Sequence, residues 1–243
     1  MKGGEMNYAV LLSGGSGSRA GSDIPKQYVK AGRHMMIIHA LRTLVSSVYI
    51  DRVIIAASPE WERDILEDAG SAGVELSVIA GFASPGKNRQ LSIRNSLEEI
   101  EPLSEPGGED TVFIHDAARP FLSGKQIREC FEALPGHDGV MPVLPMKDTV
   151  YQSSDGKRIA GLMDRSSLYR GQAPELFLFN KYLSAVRALS GEELLRINGS
   201  SEPAVMAGMD IAMIPGDERN FKVTTKEDLE RYMRIIKTEE TGS

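Results

Sequence analysis

The sequence predicts an α/β protein with a single Rossmann-like, doubly wound and mostly parallel sheet. Three observations support this fold class. Short apolar runs alternate with stretches of helical periodicity, as in βαβ units, which place their strands in parallel. The first apolar run, residues 9–12, is followed by a row of small residues, a pattern found where a strand ends at a ligand. Region 148–171 interrupts the alternation with a hairpin pattern, including Ser-Asp-Gly at its turn.

The predicted elements follow the chain in a regular order. Apolar runs predict strands over 9–12, 52–57, 74–80, 111–115, 139–143 and 209–214. Helical spacing and start signals predict helices over 59–69, 89–100, 125–134, 180–189 and 226–237. Thr225 and Asp228 resemble a capping box at the start of the last helix, with Asp where Glu or Gln is usual. Ligands of such sheets bind outside the carboxyl ends of the strands, where several motifs lie.

Composition limits the possible classes of function. A chain of 243 residues suits one α/β domain, predicted over 6–238. The net charge of −6 disfavours a general nucleic-acid-binding protein. A single cysteine, Cys130, excludes an intramolecular disulfide and a cysteine-based zinc site. No apolar stretch reaches the roughly 20 residues of a membrane span, and no signal-peptide pattern is present, so we expect a cytoplasmic protein without membrane contact.

The segment after the first strand, SGGSGSRAGSDIPKQY, carries the strongest functional signal. Five small residues, 13–17, let backbone N–H groups approach a ligand, and Arg19 and Lys26 add positive charge. The loop lacks the Gly-Lys-Ser/Thr ending of a Walker P-loop. It also resembles a dinucleotide fingerprint whose third glycine is Ala20, a substitution that does not exclude NAD. The cations favour a pocket for a triphosphate.

Two further motifs follow predicted strands. HDAARP at 115–120 places Asp116 at a strand end, where a carboxylate facing phosphates is suited to Mg²⁺. The alternative is that Asp116 only caps the loop and pairs with Arg119. His115 is expected to be structural. GFASPGKNRQLS at 81–92 is either a ligand-binding turn or a plain strand-to-helix turn.

These motifs, in this order, resemble those of the sugar-phosphate nucleotidyltransferases. More narrowly, they are similar to the cytidylyltransferases that act on methylerythritol phosphate or ribitol phosphate. The resemblance spans about 8–237 and includes NFKVT at 220–224 and QAPE at 172–175. It implies a nucleotidyltransferase-type sheet that binds CTP and a polyol phosphate and releases pyrophosphate. It also implies Mg²⁺ as the cofactor, held by Asp116.

The resemblance assigns roles by position in the motifs. It implies that the catalytic cations are Arg19, Lys26 and Lys222. It implies that the nucleotide is contacted by Ser13, Gly14, Gly15, Ser16, Gly17, Gly81, Arg89, Ser92, Asp116 and Ala117. It implies that the acceptor is contacted by Thr149, Arg165 and Ser200. Region 148–171 would then be a projecting β-arm that embraces a second subunit, so that the protein is a homodimer and Arg165 serves the neighbour's site.

Several departures from the family pattern keep alternatives open. Phe82 stands where a second glycine is usual, Ala173 and Glu175 replace Thr and Gln, and segment 199–206 has Glu202 as its one acid. We expect 2-C-methyl-D-erythritol 4-phosphate, an isoprenoid precursor, as the acceptor. Ribitol 5-phosphate or a related pentitol phosphate, used in cell-surface polymers, is the close second.

Two other classes of protein fit the sequence less well. An NAD-dependent reductase should have an acid about 20 residues beyond the loop, and that window, PKQYVKAGRH, has none. A catalytically silent nucleotide-binding protein would have no need for the intact Arg19, Lys26 and Asp116. Both classes are therefore remote alternatives.

Overall fold

The computed structural model describes residues 5–15 and 24–241. The strands of these residues are, in chain order, β1 (Asn7–Leu12), β2 (Lys30–Ala31), β3 (His34–Met35), β4 (Arg52–Ala56), β5 (Ile79–Ala83), β6 (Thr111–Asp116), β7 (Gly139–Pro145), β8 (Val150–Gln152), β9 (Gly161–Met163), β10 (Tyr169–Gly171), β11 (Glu175–Leu178) and β12 (Ile211–Pro215). The helices are α1 (Met36–Val45), α2 (Pro59–Ser71), α3 (Arg89–Ile100), α4 (Gly124–Ala133), α5 (Phe179–Arg187), α6 (Gly191–Arg196), α7 (Glu202–Met206) and α8 (Lys226–Thr241).

Eight of the twelve described strands form a central sheet, whereas β2 pairs with β3 and β8 with β9 outside it. This sheet confirms the predicted fold class. On one side of the sheet, β5, β4, β1 and β6 are parallel neighbours in that order. Beyond β6, β11 pairs antiparallel with both β6 and β7, and β12 pairs parallel with β7. Because β1 and β6 are parallel, their carboxyl ends, Leu12 and Asp116, lie side by side in register. This shared edge is where the motifs meet.

Both faces of the sheet are covered, which explains why β1 is apolar along its length. Ala9 and Leu11 pack into the core on one face, with α1, α2 and α4. Tyr8, Val10 and Leu12 pack into the core on the other face, with α3 and α5. Successive side chains of a strand point to opposite faces, so a strand buried on both sides needs apolar residues at every position. Burial of this kind fixes the position of the loop that follows Leu12.

Most predicted elements are confirmed, with some shifts in their bounds. The helix predicted over 89–100 has these bounds, and the hairpin of the 148–171 region forms as β8 and β9. The strand predicted over 74–80 is wrong in its bounds, because a 3-10 turn at Leu76–Val78 delays β5 to Ile79–Ala83. Helix α1 and strands β10 and β11 were not predicted.

The capping prediction for the last helix is confirmed. The backbone N–H of Thr225 donates to the carboxylate of Asp228 at 3.0 Å, and the backbone N–H of Asp228 donates to the Thr225 hydroxyl at 3.2 Å. The shorter Asp side chain thus makes the reciprocal pair of bonds that Glu or Gln makes in the usual box. This start of α8 anchors the loop before it, which carries Lys222.

The hairpin of β8 and β9 lies off the central sheet, and these two strands pair with each other. Its tip is an Asp-Gly turn in which the carboxylate of Asp155 accepts bonds from the backbone N–H groups of Lys157 and Arg158. Several large apolar side chains of this region are exposed: Tyr151, Ile159, Leu162, Met163 and Tyr169. No described helix is both long enough and apolar enough to cross a bilayer.

Candidate active site

A cavity of about 450 Å³ opens at the carboxyl edge of β1 and β6. Eight residues predicted from the sequence line it: Ser13, Gly14, Gly15, Lys26, Arg89, Ser92, Asp116 and Lys222. Further lining residues are Leu12, Gln27, Gly86, Lys87, Asn88 and Ala118. The cavity therefore joins the glycine loop, both strand-following motifs and the C-terminal NFKVT motif, as the sequence predicts.

The PKQY segment holds the glycine loop in place. The side-chain amide of Gln27 donates to the backbone carbonyls of Ser13 and Gly15. The hydroxyl of Tyr28 donates to the same Ser13 carbonyl at 3.0 Å. Ser13 is tied at its other end to β4, because its N–H and its hydroxyl both donate to Ala56 O. Lys26 precedes these anchors directly, so it lines the cavity from a fixed turn.

The loop after β5 forms the opposite wall and packs directly on the glycine loop. An alanine Cβ at Gly14 would lie 2.2 Å from Pro85 Cβ, so a glycine is needed for this contact. The N–H of Gly86 donates to the Ser92 hydroxyl at 3.0 Å, and Asn88 caps α3 through the Leu91 N–H. Two backbone loops are thereby fixed against each other across the cavity.

Gly81, expected at the cytosine, lies elsewhere in the structure. It is inside β5, paired with Ile54, and is absent from the cavity lining of the described residues. Strand β5 continues to Ala83, so Gly86 takes the place at the cavity that the sequence pattern suggested for Gly81. Ala117 follows the end of β6, and its N–H donates to Leu12 O at 2.9 Å.

Charged side chains from three separate parts of the chain meet at Asp116. Arg89 Nε donates to Asp116 Oδ1 at 3.0 Å, and Lys222 Nζ lies 2.9 Å from Oδ2. Arg119 Nε lies 3.7 Å from the same Oδ2. Burial alone would raise the pKa of Asp116, but the charges of Arg89, Lys222 and Arg119 outweigh burial and hold this pKa well below its ordinary value. Asp116 is therefore an anion at neutral pH.

A second carboxylate, Glu175, is buried beside this cluster. Its Oε2 lies 3.7 Å from Arg89 Nη2, and no hydrogen-bond partner of Oε2 is found among the described residues. Burial raises the pKa of Glu175, and the nearby Arg89 opposes that shift only in part. The pKa of Arg89 is raised, because Asp116 and Glu175 outweigh the effect of its burial.

A buried amide network positions the loop that carries Lys222. Asn220 donates from its side chain to Gln126 Oε1 and to Ala173 O, both at 2.9 Å. Gln172 donates to Asp217 O at 2.8 Å and accepts from the Asp217 N–H at 3.0 Å. The loop is thereby joined to α4 and to the QAPE segment before Lys222 reaches Asp116.

The predicted acceptor residues lie apart from the cavity. Thr149 is exposed at the base of the hairpin, and Arg165 is exposed in a 3-10 turn, where its guanidinium donates to Lys147 O. Ser200 is fully buried, its carbonyl accepts from the Tyr182 hydroxyl at 2.7 Å, and its own hydroxyl has no partner among the described residues. Ser16, Gly17 and Arg19 lie outside the described residues, so their roles stay predictions.

The donor set at the cavity suits Mg²⁺ arriving with a nucleotide better than a metal held by protein alone. The described residues contain no group of three or more His, Cys, Asp or Glu side chains placed to share a metal ion. Asp116 supplies one ionised carboxylate at the cavity wall. Magnesium in proteins is often held by one or two carboxylates together with substrate phosphates, and Asp116 fits that pattern.

Sequence reasoning missed several residues of the site. Gln27 lies within PKQY, and the motif by itself predicts no role for it, although a polar side chain next to a glycine loop can hydrogen-bond to the loop backbone. Gly86 and Lys87 belong to the segment where the chain departs from the family pattern. Arg119 was considered only as a loop partner of Asp116. The place of Glu175 depends on the antiparallel pairing of β11 with β6, which no local pattern reveals.

A glycine loop, several cations and one carboxylate at the carboxyl edge of a parallel sheet define an α/β protein built to bind nucleotide phosphates. The family model of 2-C-methyl-D-erythritol 4-phosphate cytidylyltransferase (IspD) matches residues 8–238. The chain belongs to this family of nucleotidyltransferases. Family membership argues against the NAD-dependent reductase considered above.

Two kinds of relative are similar to the chain. The bifunctional enzyme IspD/IspF of Maricaulis maris is 34% identical over 233 residues, which cover 95% of this chain and 57% of that protein. The ribitol-5-phosphate cytidylyltransferase of Streptococcus pneumoniae is 30% identical over 235 residues, which cover 95% of this chain and 99% of that protein. The chain thus spans just over half of the bifunctional relative and nearly all of the other.

Solved structures show the same fold. The crystal structure of 2-C-methyl-D-erythritol 4-phosphate cytidylyltransferase (IspD) from Francisella tularensis has a TM-score of 0.76 and 23% identity, covering 96% of this chain and all of that one. The bifunctional IspDF of Campylobacter jejuni has a TM-score of 0.74 and 20% identity, covering 93% of this chain and 54% of that one. At these identities the likeness concerns the fold alone.

Replacing Gly14 by alanine tests the packing of the two cavity loops. The new Cβ would overlap Pro85, so we expect Gly14→Ala to lower the free energy of unfolding by about 1–3 kcal/mol, as overpacking usually does. Gly124→Ala is the matched control, because no described atom lies within 4 Å of its added Cβ. Urea unfolding of both variants measures the difference. Equal stability of the two would contradict the close contact.

His115 predicts an acid-dependent loss of stability. Burial lowers its pKa to about 4, and its Nε2–H donates to Arg119 O at 3.0 Å. The unfolded chain binds this proton below about pH 6.5, whereas the folded protein does so only near pH 4. The contribution to stability is thus fully present above pH 6.5 and declines as the pH falls from there to 4, by up to about 3 kcal/mol.

The comparison of His115→Gln with wild type between pH 4 and 7.5 isolates this contribution. The variant should lose less of its free energy of unfolding than wild type over that range, whatever its stability at pH 7.5. Parallel pH curves for His115→Gln and wild type would show that His115 is not held neutral.

Proposed function

We propose that the protein is a CTP-dependent cytidylyltransferase that converts 2-C-methyl-D-erythritol 4-phosphate to its CDP derivative and releases pyrophosphate. The observation that carries the proposal is the convergence of Lys222, Arg89 and Arg119 on Asp116 in a cavity that Lys26 and the glycine loop also line. Family membership supports the same activity. The proposed domain is the predicted 6–238 unit.

The proposed reaction needs positioning and charge neutralisation from this chain. A phosphate oxygen of the acceptor attacks the α-phosphorus of CTP, the new P–O bond forms, and the bond to the β-phosphate oxygen breaks as pyrophosphate leaves. Lys26 and Lys222, with Arg19 by family resemblance, would offset the negative charge that develops on the phosphoryl oxygens. The acceptor phosphate is already ionised near neutral pH, so no general base is required. Fixed loops hold the reactants in line.

We propose Mg²⁺ as the cofactor and Asp116 as its protein ligand. When bound, the metal would neutralise charge on the CTP phosphates and orient them. The ion pairs of Asp116 with Arg89 and Lys222 would keep its carboxylate ionised for this role. Lys222 is more than a third exposed, so its ammonium can turn from Asp116 toward a phosphate without leaving the cavity.

Ribitol 5-phosphate is the second candidate acceptor, and one observation favours it. A ribitol-5-phosphate cytidylyltransferase is 30% identical to this chain over 235 residues, in the same range as the 34% and 36% of the bifunctional IspD/IspF relatives. The changed residues Ala173 and Glu175 also lie in the segment that the resemblance assigns to the acceptor side. We propose a cytoplasmic location for either reaction, in line with the expectation from the sequence.

We also propose that residues 148–171 form a dimerisation arm. Tyr151, Ile159 and Leu162 expose more than half of their side chains on the hairpin, and contiguous exposed apolar residues commonly mark a protein interface. Arg165 lies at the base of this hairpin, away from its own cavity. In a dimer with exchanged arms, its guanidinium would hold the acceptor phosphate of the neighbouring subunit.

The direct test supplies purified protein with CTP, Mg²⁺ and each acceptor in turn. Pyrophosphate release with 2-C-methyl-D-erythritol 4-phosphate, and a CDP product identified by mass spectrometry, would support the main proposal. Faster release with ribitol 5-phosphate would favour the second acceptor. No release with either would overturn the enzymatic proposal.

Lys222→Met tests the catalytic cluster within this reaction. Removing one cation that stabilises charge in the transition state should lower kcat by about 10²–10³-fold. Lys226→Met is the matched control, because Lys226 is an exposed lysine at the start of α8, four residues away. We expect that control to retain the wild-type rate. Similar rates for Lys222→Met and wild type would remove Lys222 from the site.

Mixing two inactive variants tests the exchanged arm. If Arg165 serves the partner's site, a heterodimer of Arg165→Ala and Lys222→Met contains one site in which both groups are intact. After unfolding and refolding together, an equal mixture should recover about a quarter of the wild-type rate, since half of the dimers are mixed and one of their two sites works. No recovery, from a mixture shown to be dimeric, would place Arg165 outside the partner's site.

A further inference from the structure

Glu175 is the second buried carboxylate of the site, beside Asp116 and the cations that surround it. It is the first residue of β11, where it pairs with Ile114 of β6. Side chains two residues apart on a strand share a face, so Glu175, Ile114 and Asp116 lie on the same face of the sheet. Arg89, at the start of α3, packs against that face and reaches both carboxylates. Glu175 is therefore part of the charge cluster.

The surroundings of Glu175 leave it dependent on Arg89. Its side chain is only 9% exposed, and Arg89 is the one cation within ion-pair distance of it among the described residues. Its Oε2 has no hydrogen bond in that part of the chain. Buried carboxylates in proteins are normally paired, because an unpaired buried charge is costly. The contact with Arg89 is thus the nearest compensation of the Glu175 charge, and Arg119 and Lys222 act on it from farther away.

Arg89 is held differently from the other two cations of the cluster. Lys222 and Arg119 both approach Oδ2 of Asp116. Arg89 donates through Nε to Oδ1 of Asp116 and presents Nη2 to Glu175. A guanidinium is a planar fork, so the hydrogen bond at Nε and the 3.7 Å charge contact at Nη2 together favour one orientation of its plane. If Asp116 were its only partner, the guanidinium could rotate, or it could bind that carboxylate through both Nε and Nη2.

We propose that Glu175 is a positioning residue for nucleotide binding. It draws Nη2 of Arg89 away from Asp116 and thereby keeps the guanidinium plane fixed at the wall of the cavity. In this arrangement Asp116 is not closed off by a two-pronged pair with Arg89. The inference rests on the proposed function, because the ligand that profits from the fixed Arg89 is the CTP of that proposal. It gives a role to a residue at which the chain departs from the family pattern.

The first test is the isosteric variant Glu175→Gln, which keeps the shape of the side chain, removes its charge and restores the residue that the family pattern has at this position. Arg89 should then close on Asp116, and both groups should become less available to CTP. We expect KM for CTP to rise at least about fivefold with a smaller change in kcat, in line with the coupling found between contacting residues. Glu175→Asp, which retains the charge, should recover part of the loss. Unchanged KM in a folded Glu175→Gln protein would overturn the inference.

Glu101→Gln is the matched control. Glu101 forms an ion pair with Arg187 at 2.5 Å, but both side chains are exposed and neither lines the cavity. This control should keep the wild-type KM. Urea unfolding of Glu175→Gln and Glu101→Gln shows whether either variant is folded under the assay conditions, so that a change in KM is not mistaken for unfolding.

A double-mutant cycle tests whether Glu175 acts through Arg89. The Kd for CTP is measured by calorimetry, without turnover, for wild type, Glu175→Gln, Arg89→Gln and the double variant. If Glu175 only positions Arg89, the double variant should bind CTP within about twofold of Arg89→Gln alone. If the double variant instead weakens CTP binding by the product of the two single effects on Kd, Glu175 acts independently of Arg89 and the inference is overturned.

The same measurements separate this inference from the proposed function. Wild-type protein that fails to bind CTP would overturn the proposed function, and the inference would fall with it. Wild-type protein that binds CTP as tightly as Glu175→Gln does would overturn the inference alone. CTP binding weakened by Glu175→Gln, and not weakened further in the Arg89→Gln background, would support both.

Discussion

The carboxylate of Asp116 is the interaction on which the arrangement of the site depends. Arg89, Arg119 and Lys222 come from the start of a helix, a loop after β6 and a loop near α8, and each lies within 3.7 Å of Asp116. Three like charges gathered in a partly buried cavity would repel one another without a central anion. Asp116 therefore holds the three cations together at the wall of the cavity. Its own ionisation depends in turn on those cations, since burial opposes it.

Local sequence patterns correctly predict those strands, helices and turns whose conformation depends mainly on residues close in sequence. The buried run before the glycine loop, the helix over 89–100 and the Asp-Gly hairpin were all predicted correctly. Lys26, Asp116 and Lys222 were placed in one site because their motifs follow strands or match a family pattern, and they do line one cavity. Parallel strands end at the same edge of a sheet, so motifs that directly follow such strands are expected to meet at that edge.

The features that were missed depend on contacts distant in sequence. Glu175 lies beside Arg89 because β11 runs antiparallel to β6, and nothing in the QAPE segment itself reports that pairing. The glycine that lines the cavity is Gly86 and not Gly81, because a 3-10 turn delays the start of β5. Gly81 therefore lies within the strand, although the sequence pattern assigns it to the loop. Arg165 is exposed in a 3-10 turn and is not among the described residues that line the cavity, so the contacts within this part of the chain do not reproduce its predicted role at the acceptor.

The amide network around Asn220 has a consequence for how the protein loses activity. Asn220 ties the loop bearing Lys222 to α4 and to the segment before β11, and the Arg119 guanidinium donates to the Asn220 carbonyl. These partners lie far apart in the chain and meet only in the folded domain. Local opening near α8 would therefore withdraw one cation from Asp116 and, under the proposed function, stop turnover while most of the secondary structure persisted. Turnover would then report on the integrity of the whole domain more sensitively than circular dichroism does.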